Sequence, residues 1–417
     1  MRTRTFARSG LAGCIAGIVI LLALGCRDEP PTSLDPQSLS ESRAPAGPQN
    51  PGLVAQGQQI FRFDTFGDET FWTDTLLMHE VIRGTIGPGI SPNTALAVGL
   101  KVDVDALPPN IRAGILDGTV DLNSPATTVI LLQLDAVVGL VGQVSGTTLT
   151  RVGVTCALCH STVDDSFLPG IGRRLDGWPN RTLDVGKIIA LSPFPTPAQK
   201  AVYNSWGPGM YDPRFNIDGQ NIPVVLPPAF GLRHVAREIY TGDDVVSYWN
   251  AYVAITQMHG HGIFSDPRIG VTRINPPDLV SSKLDALRAY QFSLQTPSAV
   301  SGTFDAAAAQ RGKKVFNADA KCIQCHIGST FTDVNAGRLH TGAEVGQDPA
   351  YALRSVTKLY RTTPLRGLWN PPQLVGPYFH DGNATTLAEV VDHYDAHFNL
   401  ALTSQQKLDL VEYLKTL

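Results

Sequence analysis

Apolar and polar residues alternate along this chain in sharply different ways from one stretch to the next. Residues 11–25 are continuously apolar and uncharged, behind Arg2, Arg4 and Arg8. Residues 27–50 are rich in Pro, Ser, Gly and Gln, poor in aromatics and without a period, which predicts a flexible tether. Towards the C-terminus the apolar positions fall at helical spacing. Residues 284–294 read as a helix. Asp305 stands where it can cap a helix over 306–316, on which Gly312 and Phe316 share one face. Thr386 and Glu389 form a capping box ahead of Leu387, Val390, Val391 and Tyr394, a single apolar stripe. Thr403 and Gln406 repeat the box ahead of Leu408, Val411 and Leu414. A glycine on a helix face admits a second backbone, so the helix at 306–316 and the last helix are expected to cross at Gly312 and Phe316.

The middle of the chain is less regular. Residues 232–240 read as a short helix after Pro227 and Pro228, with His234 and Glu238 four apart on one face and Arg233 and Arg237 beside them. Residues 243–257 read as a helix ending in Met258, His259, Gly260, His261 and Gly262. Residues 170–178 and 205–213 carry turn residues and read as loops.

Six cysteines change the picture most. Four fall into two copies of one signature, Cys156-Ala157-Leu158-Cys159-His160 and Cys322-Ile323-Gln324-Cys325-His326. C-x-x-C-H is the attachment motif of c-type haem: two thiols three residues apart form thioethers to one porphyrin, and the next residue offers its imidazole to the iron. The alternative is a redox dithiol beside an unrelated histidine. The motifs lie 166 residues apart, which suggests two covalent haems in two domains. His160 and His326 are the expected proximal ligands.

The other two cysteines, Cys14 and Cys26, sit in the N-terminal segment. A basic start and a 15-residue apolar run form a signal-peptide pattern, too short for a confident membrane span. The run ends in Gly25-Cys26, which resembles a bacterial lipoprotein signal with Cys26 as the acylated first residue. Cys14, behind Leu11-Ala12-Gly13, is the competing acceptor, and a plain cleaved signal or an uncleaved anchor stays open. Each option delivers the chain outside the cytoplasm, to the periplasm, where c-type haem is attached. Loss of residues 1–25 takes the formal net charge from −4 to −7. With no basic block, nucleic acid is excluded as a partner class.

Residues 360–369, then 376–382 with His380-Asp381-Gly382, then 387–394 resemble the C-terminal domain of the bacterial di-haem cytochrome c peroxidases, a family that includes the di-haem enzyme maturing methylamine dehydrogenase. The resemblance extends over about residues 281–417. Val54 to Phe61 is similar to the opening helix of a cytochrome c domain. The first haem motif comes later than the peroxidase pattern places it, so the N-terminal match is poor. The resemblance implies a mainly α fold: two cytochrome c-like haem domains, with long loop-rich insertions in the N-terminal one. Its expected parts are a signal segment at 1–25, a tether at 26–50, an N-terminal haem domain at 51–296 and a C-terminal class I-like domain at 303–417.

In that family the distal ligand of the second haem comes from the helix after His380-Asp381-Gly382, and Tyr394 occupies that position. A phenolate donor would lower the haem potential. Packing on the apolar stripe is the other reading of Tyr394, and His340, His380 and His393 are competing ligands. At the first haem, Met258 and His259 are both competent ligands, and a helix cap with surface histidines is the alternative. Glu238, with His234 one turn away, is the candidate acid/base for peroxide, against an exposed ion-pair face. Calcium between domains is a family feature; Asp212, Asn216, Asp218 and Asn221 make an oxygen-rich turn without full loop spacing.

Three functions follow. One is a peroxidase-like oxidoreductase that takes electrons from a small periplasmic cytochrome or cupredoxin and reduces hydrogen peroxide, with Trp178, Trp206, Trp249 or Trp369 between the haems. The second is an electron carrier with both irons six-coordinate. The third, from the likeness of residues 153–156 and 205–213 to di-haem rubber oxygenase relatives, is an oxygenase of an apolar substrate.

Overall fold

A computed structural model of the chain describes residues 50–369, 371 and 376–417. The apolar run, Cys14, Cys26 and residues 27–49 of the tether lie outside the described residues. Among those described, no helix is long and apolar enough to cross a membrane.

Helices dominate, and every sheet is a two-stranded ribbon. Helix α1 (Pro51–Phe63) starts where the side chain of Asn50 accepts from the Gly52 and Leu53 backbone N–H groups. A hairpin of β1 (Leu140–Ser145) and β2 (Thr148–Val154) then delivers the chain to the short helix α2 (Ala157–His160), which holds the first motif. Helix α3 (Val246–Tyr252) runs into a π-helical turn at Val253–Gln257. The antiparallel pair β3 (Gly262–Asp266) and β4 (Val271–Asn275) follows, and then α4 (Leu284–Ser293).

Helix α4 returns to pack on α1. Their crossing is close because Gly57 has no side chain: a Cβ there would sit 1.9 Å from the Ala286 carbonyl oxygen. Beside it the Phe61 and Tyr290 rings meet edge to face at 5.4 Å. The large core around this crossing buries Phe61, Phe66, Leu132, Leu149, Tyr248, Tyr252 and Phe264. Full burial of one such side chain contributes about 1.5–3 kcal/mol.

The C-terminal segment has a second core, built on α5 (Ala306–Asn317), α6 (Leu387–Phe398) and α7 (Ser404–Leu414). Asp305 caps α5 by accepting from the Ala307 and Ala308 N–H groups, and capping boxes at Thr386 and Thr403 open α6 and α7, as the sequence predicts. Helices α5 and α7 cross at Gly312, where a Cβ would lie 1.9 Å from the Asp409 carbonyl oxygen, and Phe316 packs edge to face on Tyr413 at 5.2 Å. The expected crossing is present. The buried face of α7 is rotated from the expected one: Leu410, Tyr413 and Leu414 are inside, whereas Leu408 is 62% exposed. Val224, Tyr351, Ala352 and Tyr360 form a small third cluster joining the two long segments.

Two middle elements depart from expectation. Residues 232–240 form no helix. His234 and Ile239 have φ of +70° and +55°; one turn bond, Val235 N–H to Leu232 O, stays inside the segment, and others leave it: Glu238 N–H donates to Asp244 O, Ala236 N–H to the Asn335 side chain, and Asn335 to His234 O. Tertiary partners outside the segment replace the i→i−4 ladder. Helix α3 begins at Val246, because Asp243 and Asp244 are drawn into ion pairs with Arg214 and Arg268.

Candidate functional site

The two motifs sit on short turns held by their surroundings. Cys156 follows β2, and α2 is fixed from both ends: Thr155 N–H donates to Gly139 O, and Asn180 N–H donates to Cys159 O. Gly139, at φ +82°, lets the backbone of Leu158 approach so closely that a Cβ would lie 2.2 Å from it. The second motif is a single tight turn over Cys322–Gln324, entered through Lys321 at φ +56° and closed by His326 N–H donating to Cys322 O.

The histidines of both motifs are oriented in the same way. His160 Nδ1 lies 3.1 Å from Pro227 O, and His326 Nδ1 lies 3.0 Å from Phe331 O. A backbone carbonyl takes the proton on Nδ1, so the lone pair is on Nε2, the tautomer of a metal-ligating imidazole with an outer-sphere partner. Burial lowers the pKa of both and keeps them neutral, His160 to about 4. The thiols are the reverse of a redox dithiol. Burial pushes Cys156, Cys159 and Cys322 up to about 12, whereas a reactive C-x-x-C needs a stabilised thiolate.

The four cysteines and two histidines of the motifs line one continuous cavity of about 860 Å³. Its walls are mainly apolar: Phe71, Leu76, Val185 and Trp249 are near the first motif, and Leu365, Leu387, Val391 and Leu410 near the second. Against this background the few polar groups matter.

Tyr394 faces this cavity from α6, with Leu387, Val390 and Val391 of the same stripe. Its ring stacks on Phe398 and meets Phe379 edge-on, and burial followed by the nearby Cys322 and Cys325 raises its hydroxyl to about 12. His340 also borders the cavity, but both its ring nitrogens are occupied, by Asp333 at 2.9 Å and Glu344 at 2.9 Å. Burial opposes its charge, yet these two carboxylates outweigh it and hold the imidazole above its usual pKa. With a carboxylate at each ring nitrogen, neither nitrogen of His340 is turned to the cavity without giving up a partner. His380 is buried against the Tyr360 hydroxyl at 3.0 Å, and His393 lies near Gln347 on the rim of α6.

At the first motif, Met258 and His259 both line the cavity, on the residues just after the π-helical turn. His259 is no surface cap residue: it stacks on Phe71 at 3.7 Å and burial lowers its pKa to about 4. Glu238 is buried and also borders the cavity, while His234 is exposed. Without a helix the two do not share a face as an i,i+4 pair, which removes the spacing argument for a relay through His234. The partner of Glu238 is Arg361, at 3.0 Å. Burial nevertheless wins over this ion pair and raises the carboxyl to about 6. An exposed ion-pair face is therefore not what residues 232–240 provide. Of the four tryptophans named as bridges between the haems, Trp206 and Trp249 line the cavity; Trp178 packs on Phe230, and Trp369 Nε1 is buried without a hydrogen bond to a described residue.

The oxygen-rich turn considered for calcium already holds a cation. The Arg354 guanidinium, from the C-terminal segment, spans Asp212 at 3.0 Å and Asp218 at 2.8 Å and also donates to Gln220 O. Arg214 and Asp243 pair beside it at 2.9 Å. Asp212 and Asp243 are fully buried, so their charges are met by guanidinium rather than left open for a metal. Sequence reading missed Arg354 and Arg361 because nothing local marks them: their partners lie more than a hundred residues away. It also missed Arg181, which only the folded chain places in the cavity wall.

The family model described as cytochrome c matches residues 309–417. Methylamine utilization protein MauG of Methylorubrum extorquens is 26% identical over 64% of this chain and 74% of its own length. Hydrazine synthase subunit gamma of Kuenenia stuttgartiensis is 32% identical over 26% of this chain and 41% of its own. Among solved structures, hydrazine synthase of that organism aligns with a TM-score of 0.36 at 20% identity, over 52% of this chain and 78% of the other. A MauG-like protein associated with microbial copper homeostasis aligns with a TM-score of 0.32 at 19% identity, over 46% and 73%. The C-terminal part of the chain thus matches a cytochrome c domain, and the chain is similar to MauG over about two thirds of its length.

Proposed function

We propose that this MauG-like c-type cytochrome is an exported di-haem protein that transfers electrons between two haems and reduces hydrogen peroxide at one of them. The observation that carries the reading is the single cavity lined by both C-x-x-C-H motifs, each with its histidine Nδ1 tied to a backbone carbonyl. The donor set fits haem: four neutral thiols, two neutral imidazoles and an apolar enclosure. Bound there, haem supplies a reversible one-electron store and an iron that can meet peroxide. The domains run over 51–296 and 303–417.

The chain's own residues do the rest. His160 and His326 present Nε2. Glu238, poised at about 6 by burial against the pull of Arg361, takes the first peroxide proton and returns it to the departing oxygen. Two electrons from a small periplasmic cytochrome or cupredoxin, with two protons, turn peroxide into two waters. Tyr394, on the cavity wall beside the second motif, would offer its phenol oxygen as a further donor to the haem held there. The protein stays at the membrane through a lipid on Cys26. One observation favours a second reading, the six-coordinate carrier: Met258 lines the cavity where it could close the first iron.

The spin state of the purified ferric protein, with and without cyanide, separates the two. The enzyme reading expects one high-spin or cyanide-binding haem; two low-spin haems that resist cyanide select the carrier.

A further inference from the structure

The cavity wall carries a buried cation for which the described residues supply no carboxylate partner. Arg181 lines the cavity, and its Nε and Nη1 are sealed from solvent with no hydrogen bond to any described residue. Its position is fixed. The preceding residue, Asn180, donates its N–H to Cys159 O and its side-chain amide to Gly99 O, at 2.9 and 2.8 Å, tying Arg181 to the first motif. Gly209 leaves room for the Arg181 carbonyl, which a Cβ would approach to 2.7 Å. The electrostatic neighbours of the guanidinium are the neutral phenols Tyr240 and Tyr378, and burial depresses its pKa.

Other buried arginines here behave differently. Arg214, Arg354, Arg361 and Arg174 each face a carboxylate within 3.1 Å. A guanidinium cannot shed its proton, and a desolvated charge persists only with a counter-charge. A strongly buried arginine in a cavity wall, without a carboxylate, therefore awaits an anion from the cavity's occupant. The guanidinium fork matches a carboxylate.

We infer that Arg181 binds a propionate of the haem attached at Cys156 and Cys159, and thereby sets that haem's reduction potential. This rests on the haem reading of the first motif but not on the presence of a second haem or on peroxidase activity. A carboxylate-bearing substrate has the same chemistry, and the test separates the two sources.

The test uses the full-length holoprotein, with haem content checked by mass and the potential of each haem measured across pH. In R181Q the first haem's midpoint potential is expected to fall, because the lost cation and the unpaired propionate both favour the ferric state. Its pH dependence should strengthen in the acidic range, as the propionate regains a more ordinary pKa. The second haem should change less. If R181Q does not take up the first haem, R181K keeps the charge but loses the fork, and the propionate bending band in the resonance Raman spectrum should move. An R181Q protein with the first haem attached and its potential and pH dependence unchanged would overturn the inference, as would an unmoved Raman band in R181K. So would a potential that responds to added acetate or benzoate in wild type but not in R181Q, with no difference in their absence; the carboxylate would then be external. Failure to find haem at Cys156 and Cys159 would instead remove the reading beneath it.

Discussion

Both segments of the molecule use the same device, an opening helix crossed by a closing helix at a glycine, yet they build their haem motifs in opposite ways. Gly57, Phe61 and Tyr290 in the first have the roles of Gly312, Phe316 and Tyr413 in the second. In the second, the motif follows its opening helix almost at once, and the carbonyl that orients His326 lies 5 residues on. In the first, a hairpin and several helices intervene before Cys156, and the carbonyl that orients His160 lies 67 residues away. One site is built by local chain geometry and the other by tertiary packing. The difference teaches where the candidate donor and acid–base groups of the cavity wall come from: Glu238, Met258, His259 and Arg181 lie in the long insertions around the first motif, whereas Tyr394 stands on α6 of the second segment.

The largest effect should come from Glu238, which the first segment contributes and Arg361 of the second segment holds. E238Q is expected to lower peroxide turnover about 100- to 10,000-fold with both haems in place, in assays with an artificial donor. In wild type, turnover should rise with pH through about 6, as the carboxyl ionises to become a base, and E238Q should lack that rise. Stability runs the other way. A carboxyl whose folded pKa is raised binds its proton more tightly when folded, so its contribution is greatest below its usual value and declines as pH rises towards 6. Unchanged turnover in E238Q would show that the first site does its proton chemistry elsewhere.

Next in size is the ion-pair cluster between the segments. Arg354 is nearly buried and meets two aspartates, so R354M leaves Asp212 and Asp218 unmatched and should cost about 3–5 kcal/mol in denaturant unfolding. Added calcium should not restore the loss if the cluster is built for guanidinium. Full rescue by calcium would make Arg354 a substitute for a metal that the cluster still accepts.

The smallest effect sharpens the comparison itself. G57A and G312A each push a methyl into a facing carbonyl, and overpacking of this kind costs about 1–3 kcal/mol. Each should lower the thermal midpoint and disturb mainly the haem of its own segment. The G312A perturbation should stay confined to the second haem, whose motif is local. Disturbance of both haems by either variant would mean that the two crossings are not independent.

This asymmetry also governs what could be read from the sequence. Asp305, the Thr386 and Thr403 capping boxes and the Gly312–Phe316 crossing are local patterns, and each was legible. The face of α7 was not, since Leu408 fits the period but points to solvent while Tyr413 takes the inner position. Residues 232–240 carry helical spacing and form none, because their hydrogen-bond partners, Asp244 and Asn335, lie outside the segment. The pairing of Glu238 with Arg361, the double engagement of His340 by Asp333 and Glu344, and the closure of the calcium-like turn by Arg354 are all tertiary. The motifs name the cofactor; only the assembled chain brings Arg181 and Glu238 into the wall of one cavity.

The central claim is that two covalent haems share that cavity, and mass spectrometry of the exported protein tests it most directly. The account predicts the polypeptide plus two haem masses, falling to one in the variant with Cys156 and Cys159 both replaced by Ala, and to one in the variant with Cys322 and Cys325 both replaced by Ala. A wild-type protein carrying a single haem mass, or none, would contradict it.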